Sequence, residues 1–96
     1  ADRLVVEPTH AFPRAFLAAA STEMGRGYDT LAARHNTPEA DRRDYRFAAV
    51  ERYRRSHEIW QDLRARGLVS PVDTGLVTAS ARNLARAQRL VMAADR

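Results

Sequence analysis

The sequence predicts an all-α domain of three helices, dominated by a long antiparallel helical hairpin, and three observations support this fold class. Apolar residues recur at heptad spacing in three segments. Proline and glycine mark the breaks between these segments. No part of the chain shows the period-two alternation of paired strands. Because 96 residues are enough for one modest core, we predict a single helical domain over residues 13–96, preceded by an extended arm over residues 1–12.

The first helix is predicted over residues 13–35. The arm before it contains Pro8 and β-branched residues, and Pro13 suits a first helical position because its missing N–H has no partner there anyway. Gly27 falls on the apolar face and indicates either close approach of a partner backbone or a kink. The predicted packing face of this helix consists of Leu17, Ala20, Met24, Gly27 and Leu31.

The second helix is predicted over residues 38–66, with Thr37 as its N-cap, Pro38 at its first position and Gly67 at its end. A helix of about 29 residues is roughly 43 Å long, which exceeds the width of a compact domain of this size. This length favours a hairpin that associates with other copies. Arg52 falls within the apolar face, so we expect it to form a structural ion pair, either within the chain or between copies.

The third helix is predicted over residues 71–95, with a packing face of Val77, Ala81, Leu84, Gln88 and Val91. The heptad spacing of all three helices is typical of helices that self-associate. We therefore expect an oligomer, packed through a set of large apolar side chains on the second and third helices: Tyr45, Tyr53, Trp60, Leu63, Val77, Leu84 and Val91.

The charge distribution indicates an acidic partner. The chain has sixteen arginines, no lysine and twelve acidic residues, and residues 74–94 contain no acid at all. Within that segment Arg82, Arg86 and Arg89 share one helical face, predicted to point outward, and guanidinium groups match phosphate oxygens well. We predict that these three bind DNA, with Arg54 and Arg55 as weaker candidates. Acidic neighbours make Arg42, Arg43 and Arg46 a solvated charged face instead.

Common catalytic and metal-binding signatures are missing. The chain has no cysteine, its histidines (His10, His35 and His57) lack metal-ligand spacing, and it contains no nucleophile elbow or phosphate loop. We therefore predict no catalytic residue, metal or cofactor. Two other functions fit parts of the sequence, one as an enzyme and one as a helix-turn-helix protein. An enzyme of the chorismate mutase type would use Arg14, Arg52 and Gln88 to clasp a dicarboxylate. A helix-turn-helix over residues 31–38 fits poorly, because Arg42 stands where an apolar core residue is needed.

The compartment is predicted from hydrophobicity and cysteine usage. No apolar stretch approaches the length of a membrane span, and absence of cysteine suits a reducing environment. We expect a cytoplasmic protein in a bacterial host cell with no membrane partner.

From Asp41 onward the chain resembles the small subunit of phage terminases. The resemblance covers roughly residues 37–94 and rests on Asp41, Tyr53-Arg54, Trp60, Leu63, Gly67-Leu68-Val69, Gly75, and a final helix with Leu84, Ala87 and Arg89. It implies a hairpin that builds a ring-shaped oligomer and presents DNA to a large ATPase–nuclease subunit, as in phages or gene-transfer agents. The expected function is thus a DNA-packaging adaptor without catalysis. The alternative is a helical adaptor whose arginines meet acidic protein partners.

Overall fold

The computed structural model describes the backbone of residues 2–94 and the side chains of residues 13–93. Three helices follow in order: α1 over Asp2–Ala33, α2 over Glu39–Ala65 and α3 over Thr74–Ala94, with a single 3₁₀ turn at Pro71–Asp73 before α3. The described residues contain no strand. The all-α prediction is confirmed.

The N-terminal arm differs from the prediction. α1 begins at Asp2, so residues 2–12 continue the helix rather than forming an extended arm, and Pro13 lies inside it. Extending an existing helix adds one hydrogen bond for each residue fixed, which favours continuation once the helix has formed. The side chains of residues 1–12, including His10, lie outside the described ones, as does Asp95 at the predicted end of α3.

Arg42 and Thr37 close the C-terminal end of α1. The Arg42 guanidinium donates from Nε to the Ala32 carbonyl at 3.0 Å and from Nη2 to the Arg34 carbonyl at 3.4 Å. Thr37 Oγ1 donates to the Leu31 carbonyl at 2.7 Å. These bonds satisfy carbonyls that the end of a helix leaves without intrahelical partners. The prediction that Thr37 caps the start of α2 is wrong, because its hydroxyl faces back to α1 and the N-cap is Pro38.

Gly67 ends α2 as predicted. Its φ is +70°, a left-handed conformation that favours glycine. The Gly67 N–H donates to the Arg64 carbonyl at 3.0 Å and the Leu68 N–H to the Leu63 carbonyl at 2.8 Å. This is the bonding pattern of a Schellman C-cap.

Helix α2 is the central element, and α1 and α3 both run antiparallel to it. Arg14 pairs with Asp62 near the end of α2, and Asp29, later in α1, pairs with Arg46 nearer the start of α2. In the same way His57 contacts Ser80, and the earlier Tyr53 contacts the later Arg86 of α3. The molecule measures 55 × 18 × 17 Å, and its radius of gyration is 15.7 Å. A compact domain of this length would have a radius of about 12.5 Å. The elongation predicted from the length of α2 is therefore present. No described helix is long and apolar enough to cross a membrane.

The core is built mainly by α2, which has seven buried residues. The buried side chains form two clusters, one around Trp60, Leu63 and Val77 and one around Tyr53. Half-buried apolar side chains pack against both clusters. The large residues assigned to packing between copies therefore pack within one chain, because α1 and α3 both lie on α2. This corrects the assignment for Tyr45, Tyr53, Trp60, Leu63, Val77, Leu84 and Val91, of which Tyr45 is half-buried and stacked on Tyr28.

The packing face of α1 is rotated by one residue from the prediction. The buried positions are small: Ala18, Ser21, Gly25 and Ala32. Small residues let α1 approach α2 closely enough for the Tyr53 ring to lie directly against Gly25. A similar shift affects α3, where Ser80 and Ala87 are buried in place of Ala81 and Gln88, which are exposed.

Candidate nucleic-acid interface

The exposed face of α3 carries two arginines that no acid neutralises. Arg82 and Arg89 are exposed, and neither forms an ion pair with any described carboxylate. They are seven residues apart, so their Cα atoms are about 10 Å apart along the helix. Because α3 itself contains no acidic residue, these guanidinium groups are available to a phosphate-bearing partner.

Arg86 is exposed as well, but its guanidinium contacts other residues of the chain, which corrects the prediction that it is free to bind DNA. Its Nη2 lies 3.3 Å from Asp29 Oδ2 and donates to the Tyr53 hydroxyl at 3.3 Å. Its guanidinium also lies 5.6 Å from the centre of the Tyr53 ring. A helical wheel gives the direction of the Cα–Cβ bond only, whereas the charge of arginine sits at the end of a long side chain. The ion pair with Asp29 of α1 holds the Arg86 guanidinium against the surface of the protein.

Asp29 is the centre of a polar cluster that joins all three helices. Tyr53 of α2 donates to Asp29 Oδ2 at 2.7 Å, and Arg46 Nη1 of α2 lies 3.5 Å from Oδ1. Burial and the hydrogen bond to Asp29 raise the pKa of Tyr53 to about 12. The Asp29 carboxylate therefore lies between two guanidinium groups and the Tyr53 phenol. These contacts hold the three helices together, and all of them form within one chain.

The two weaker candidates on α2 have different surroundings. Arg54 Nη1 donates to Glu51 Oε1 at 2.7 Å, so its charge is neutralised. Arg55 is exposed and forms no ion pair among the described side chains. It lines a shallow groove with Tyr28 of α1. Arg82 and Arg89 lie on α3 instead, on its side away from α2, so the structure does not join Arg55 with them in one surface.

The other arginines of α2 are largely engaged in local contacts. Arg42 caps α1, and Arg46 pairs with Asp29, so the solvated charged face predicted for this cluster holds only for Arg43, which is exposed. Arg52 forms no ion pair with a described carboxylate of its own chain, so of the two expected ion pairs only the one between copies is left. It is half-exposed and lines the same groove as Arg55.

The residues of the alternative enzyme do not converge. Arg14 pairs with Asp62 at 2.8 Å, ten residues along α2 from Arg52, a separation of about 15 Å. Gln88 is exposed on α3. The helix-turn-helix alternative also fails, because α1 and α2 pack antiparallel along their length rather than crossing at the wide angle of that motif.

The sequence analysis did not identify Asp29, the acid that pairs with Arg86 beside the candidate site. It is the only acid between Glu23 and Glu39, and it follows Gly25 by one helical turn. Its isolation among basic and apolar residues was a usable signal. Because the larger residues of α1 suggested a different packing face, the position of Asp29 beside Tyr53 could not be inferred.

Comparison of the chain with protein-family models, with curated proteins and with solved structures found no significant match.

Proposed function

We propose that this protein is an oligomeric DNA-packaging adaptor, similar to a small terminase subunit, that works inside a bacterial host cell. In this proposal it binds DNA through arginine–phosphate contacts and presents it to a large ATPase–nuclease subunit. The observation that carries the DNA-binding part is the pair Arg82 and Arg89, exposed on a helix without acids and unpaired within the described chain. The terminase part rests on the sequence resemblance over residues 37–94.

The electrostatics of a single copy favour an assembly over a monomer as the binding form. The formal net charge is only +4, and two phosphate contacts release few counterions. Affinity for duplex DNA falls with salt by a logarithmic slope of about 0.9 for each phosphate neutralised. Repetition of the α3 face in an oligomer multiplies the number of contacts on one DNA molecule. We therefore assign Arg82 and Arg89 as the principal contacts and Arg55 as a secondary one.

The revised site excludes two residues that the sequence favoured. Arg86 would have to leave Asp29 and Tyr53 to reach a phosphate, and Arg54 would have to leave Glu51. Each move exchanges one charge-assisted contact for another, so little binding free energy is gained. Replacing Arg86 should therefore affect stability more than DNA affinity.

A DNA titration of matched variants tests the proposal. Duplex DNA is titrated at about 50 mM and about 200 mM salt with the wild type and with Arg82→Gln/Arg89→Gln. We expect the double variant to bind more weakly at low salt and to show a shallower salt dependence. Arg64→Gln, an exposed arginine on α2, is the control and should bind as the wild type does. If the wild type does not bind DNA at low salt, the DNA-binding proposal is wrong, and the alternative is an adaptor that binds acidic protein partners.

A further inference from the structure

A regular apolar stripe runs along α1 beside its packing face, one residue or about 100° around the helix. We define the outer stripe as the five residues of the originally predicted packing face. Leu17 is 42% exposed and Met24 43% exposed, and Phe16 beside them is 72% exposed. The outer stripe keeps the heptad spacing of a packed helix, yet Leu17, Met24 and Gly27 are exposed and its other two members are only half-buried. Its members are Leu17, Ala20, Met24, Gly27 and Leu31.

Large and small residues alternate along the outer stripe, and this alternation selects an orientation for a partner helix of the same sequence. Parallel pairing would set Leu17 against Leu17 and Gly27 against Gly27, so wide and narrow layers would follow one another. Antiparallel pairing sets Leu17 against Gly27 and Met24 against Ala20, so these four layers have similar volume, and Leu31 is level with Pro13 at each end. No described atom lies within 4 Å of the position that a Cβ on Gly27 would take, so the space for Leu17 of a second copy is open.

The charges beside the outer stripe are complementary in this same register. When Ala20 faces Met24 of a second copy, the two-fold axis passes near Thr22, which contacts Ser56 of α2 at 2.8 Å. On α2 this two-fold axis is level with Arg55. Residues the same number of positions before and after Arg55 therefore face each other across the interface. Arg52 of each copy becomes level with Glu58 of the other, and both residues line the groove next to the outer stripe. This gives Arg52 a carboxylate partner, which none of the described side chains of its own copy provides.

The exposed area is sufficient for such a contact. The accessible surface of the chain is 6756 Å², whereas a compact monomer of 10.8 kDa exposes about 5,500 Å². A stable interface covers about 800 Å² on each partner. An elongated chain of this kind can therefore bury a standard interface and still expose as much surface as an ordinary domain.

We propose that the outer stripe binds α1 of a second copy in a two-fold, antiparallel contact that is flanked by two Arg52–Glu58 ion pairs. The inference rests on the self-association in the proposed function and specifies its surface. A two-fold contact uses the same patch on both partners and closes at two copies. Any larger assembly built on it, a ring included, contains an even number of chains.

Native mass measurements on three proteins test the surface. We expect the wild type to be a dimer or a larger even assembly, and Met24→Glu to lose the contact while keeping its helix content. Ala19→Glu, an exposed position on another side of α1, is the matched control and should assemble normally. A monomeric wild type would overturn both this inference and the oligomeric function. An assembled Met24→Glu, or an odd copy number, would overturn the contact alone.

The orientation can be tested by disulfide formation, because the chain has no cysteine of its own. We expect a mixture of Leu17→Cys and Gly27→Cys to form cross-linked dimers on oxidation, and each variant alone to form almost none. In the antiparallel register two copies of position 17 are about 15 Å apart, too far for a disulfide. Cross-linking of each variant with itself would establish parallel pairing instead. Absence of cross-linked dimers in the mixture would contradict the proposed contact.

A charge exchange tests the flanking ion pairs. Arg52→Glu and Glu58→Arg should each weaken the dimer severalfold, since each places like charges opposite one another twice in the interface. The double variant Arg52→Glu/Glu58→Arg should restore the wild-type dissociation constant to within about twofold. Additive weakening in the double variant would show that the two residues do not face each other.

Discussion

Gly25 and Gly27 lie on different sides of α1 and have different surroundings. A Cβ on Gly25 would be 2.7 Å from Tyr53 Cε1, while one on Gly27 would have no described atom within 4 Å. We expect Gly25→Ala to destabilise the protein by about 1–3 kcal/mol, because the ring must move within the core. Gly27→Ala should stabilise the monomer by up to about 1 kcal/mol, through helix propensity alone. Urea unfolding of dilute protein measures both, and each variant is the control for the other.

The Tyr53 phenol makes stability depend on pH in the alkaline range. Its pKa in the folded protein is about 12, against 10.0 for an ordinary tyrosine. Below about pH 10 the phenol is protonated in both states. Between about pH 10 and pH 12 the unfolded chain loses the proton that the folded chain retains, so the free energy of unfolding decreases as pH rises.

A spectroscopic titration measures this effect with little interference. Lysine and cysteine do not contribute, because the chain has neither, and it has only three tyrosines. We expect phenolate absorbance to show one tyrosine that ionises near pH 12, and Tyr53→Phe to remove that step. Unfolding curves for Tyr53→Phe should also lose much of the decline between pH 10 and pH 12. An unchanged titration would assign the late ionisation to another tyrosine.

At the scale of the elements, the connection between α1 and α2 depends on one side chain. From its position on α2, Arg42 donates to the Ala32 and Arg34 carbonyls at the end of α1. We expect Arg42→Ala to destabilise the protein by about 1–3 kcal/mol, because charge-assisted hydrogen bonds to terminal carbonyls are lost. Arg43→Ala, an exposed neighbour, should change stability by less than about 0.5 kcal/mol. Equal effects in thermal or urea unfolding would contradict the capping role.

The three helices were not equally predictable from the sequence. The packing face of α2 follows directly from Tyr53, Trp60 and Leu63, because large aromatic and aliphatic residues are buried wherever a core can hold them. The packing face of α1 could not be predicted in this way, since its buried positions are Ala18, Gly25 and other small residues, and its larger residues face outward. Periodicity finds a helix reliably, but it assigns the inner face to the larger residues.

The candidate site was predictable only in part for a related reason. The acid-free segment located Arg82 and Arg89 correctly on an exposed face. Arg86 has the same spacing in the sequence, but its partner Asp29 is 57 residues away along the chain. A long-range ion pair leaves no periodic signal, so only the tertiary structure separates the free arginines from the engaged one.

At the scale of the whole molecule, Asp29 connects α1 with both other helices. Asp29→Asn would leave Arg46 and Arg86 without their anion, and we expect a loss of about 2–4 kcal/mol in the free energy of unfolding. Asp44→Asn, an exposed acid on α2, should have an effect within about 0.5 kcal/mol. Denaturant unfolding followed by circular dichroism compares the two. A small effect of Asp29→Asn would show that the cluster adds little to the docking of α3.

The small inner face of α1 also has a consequence for local opening. Ala18, Ser21 and Gly25 allow close approach, but they bury little apolar area of their own, whereas α2 contributes Trp60 and Leu63 to the core. The free energy that resists detachment of a helix depends largely on the apolar area it buries. In a monomeric variant, backbone amides of α1 should therefore exchange with deuterium before those of α2. If a second copy covers the outer face of α1, the same amides should become protected as protein concentration increases.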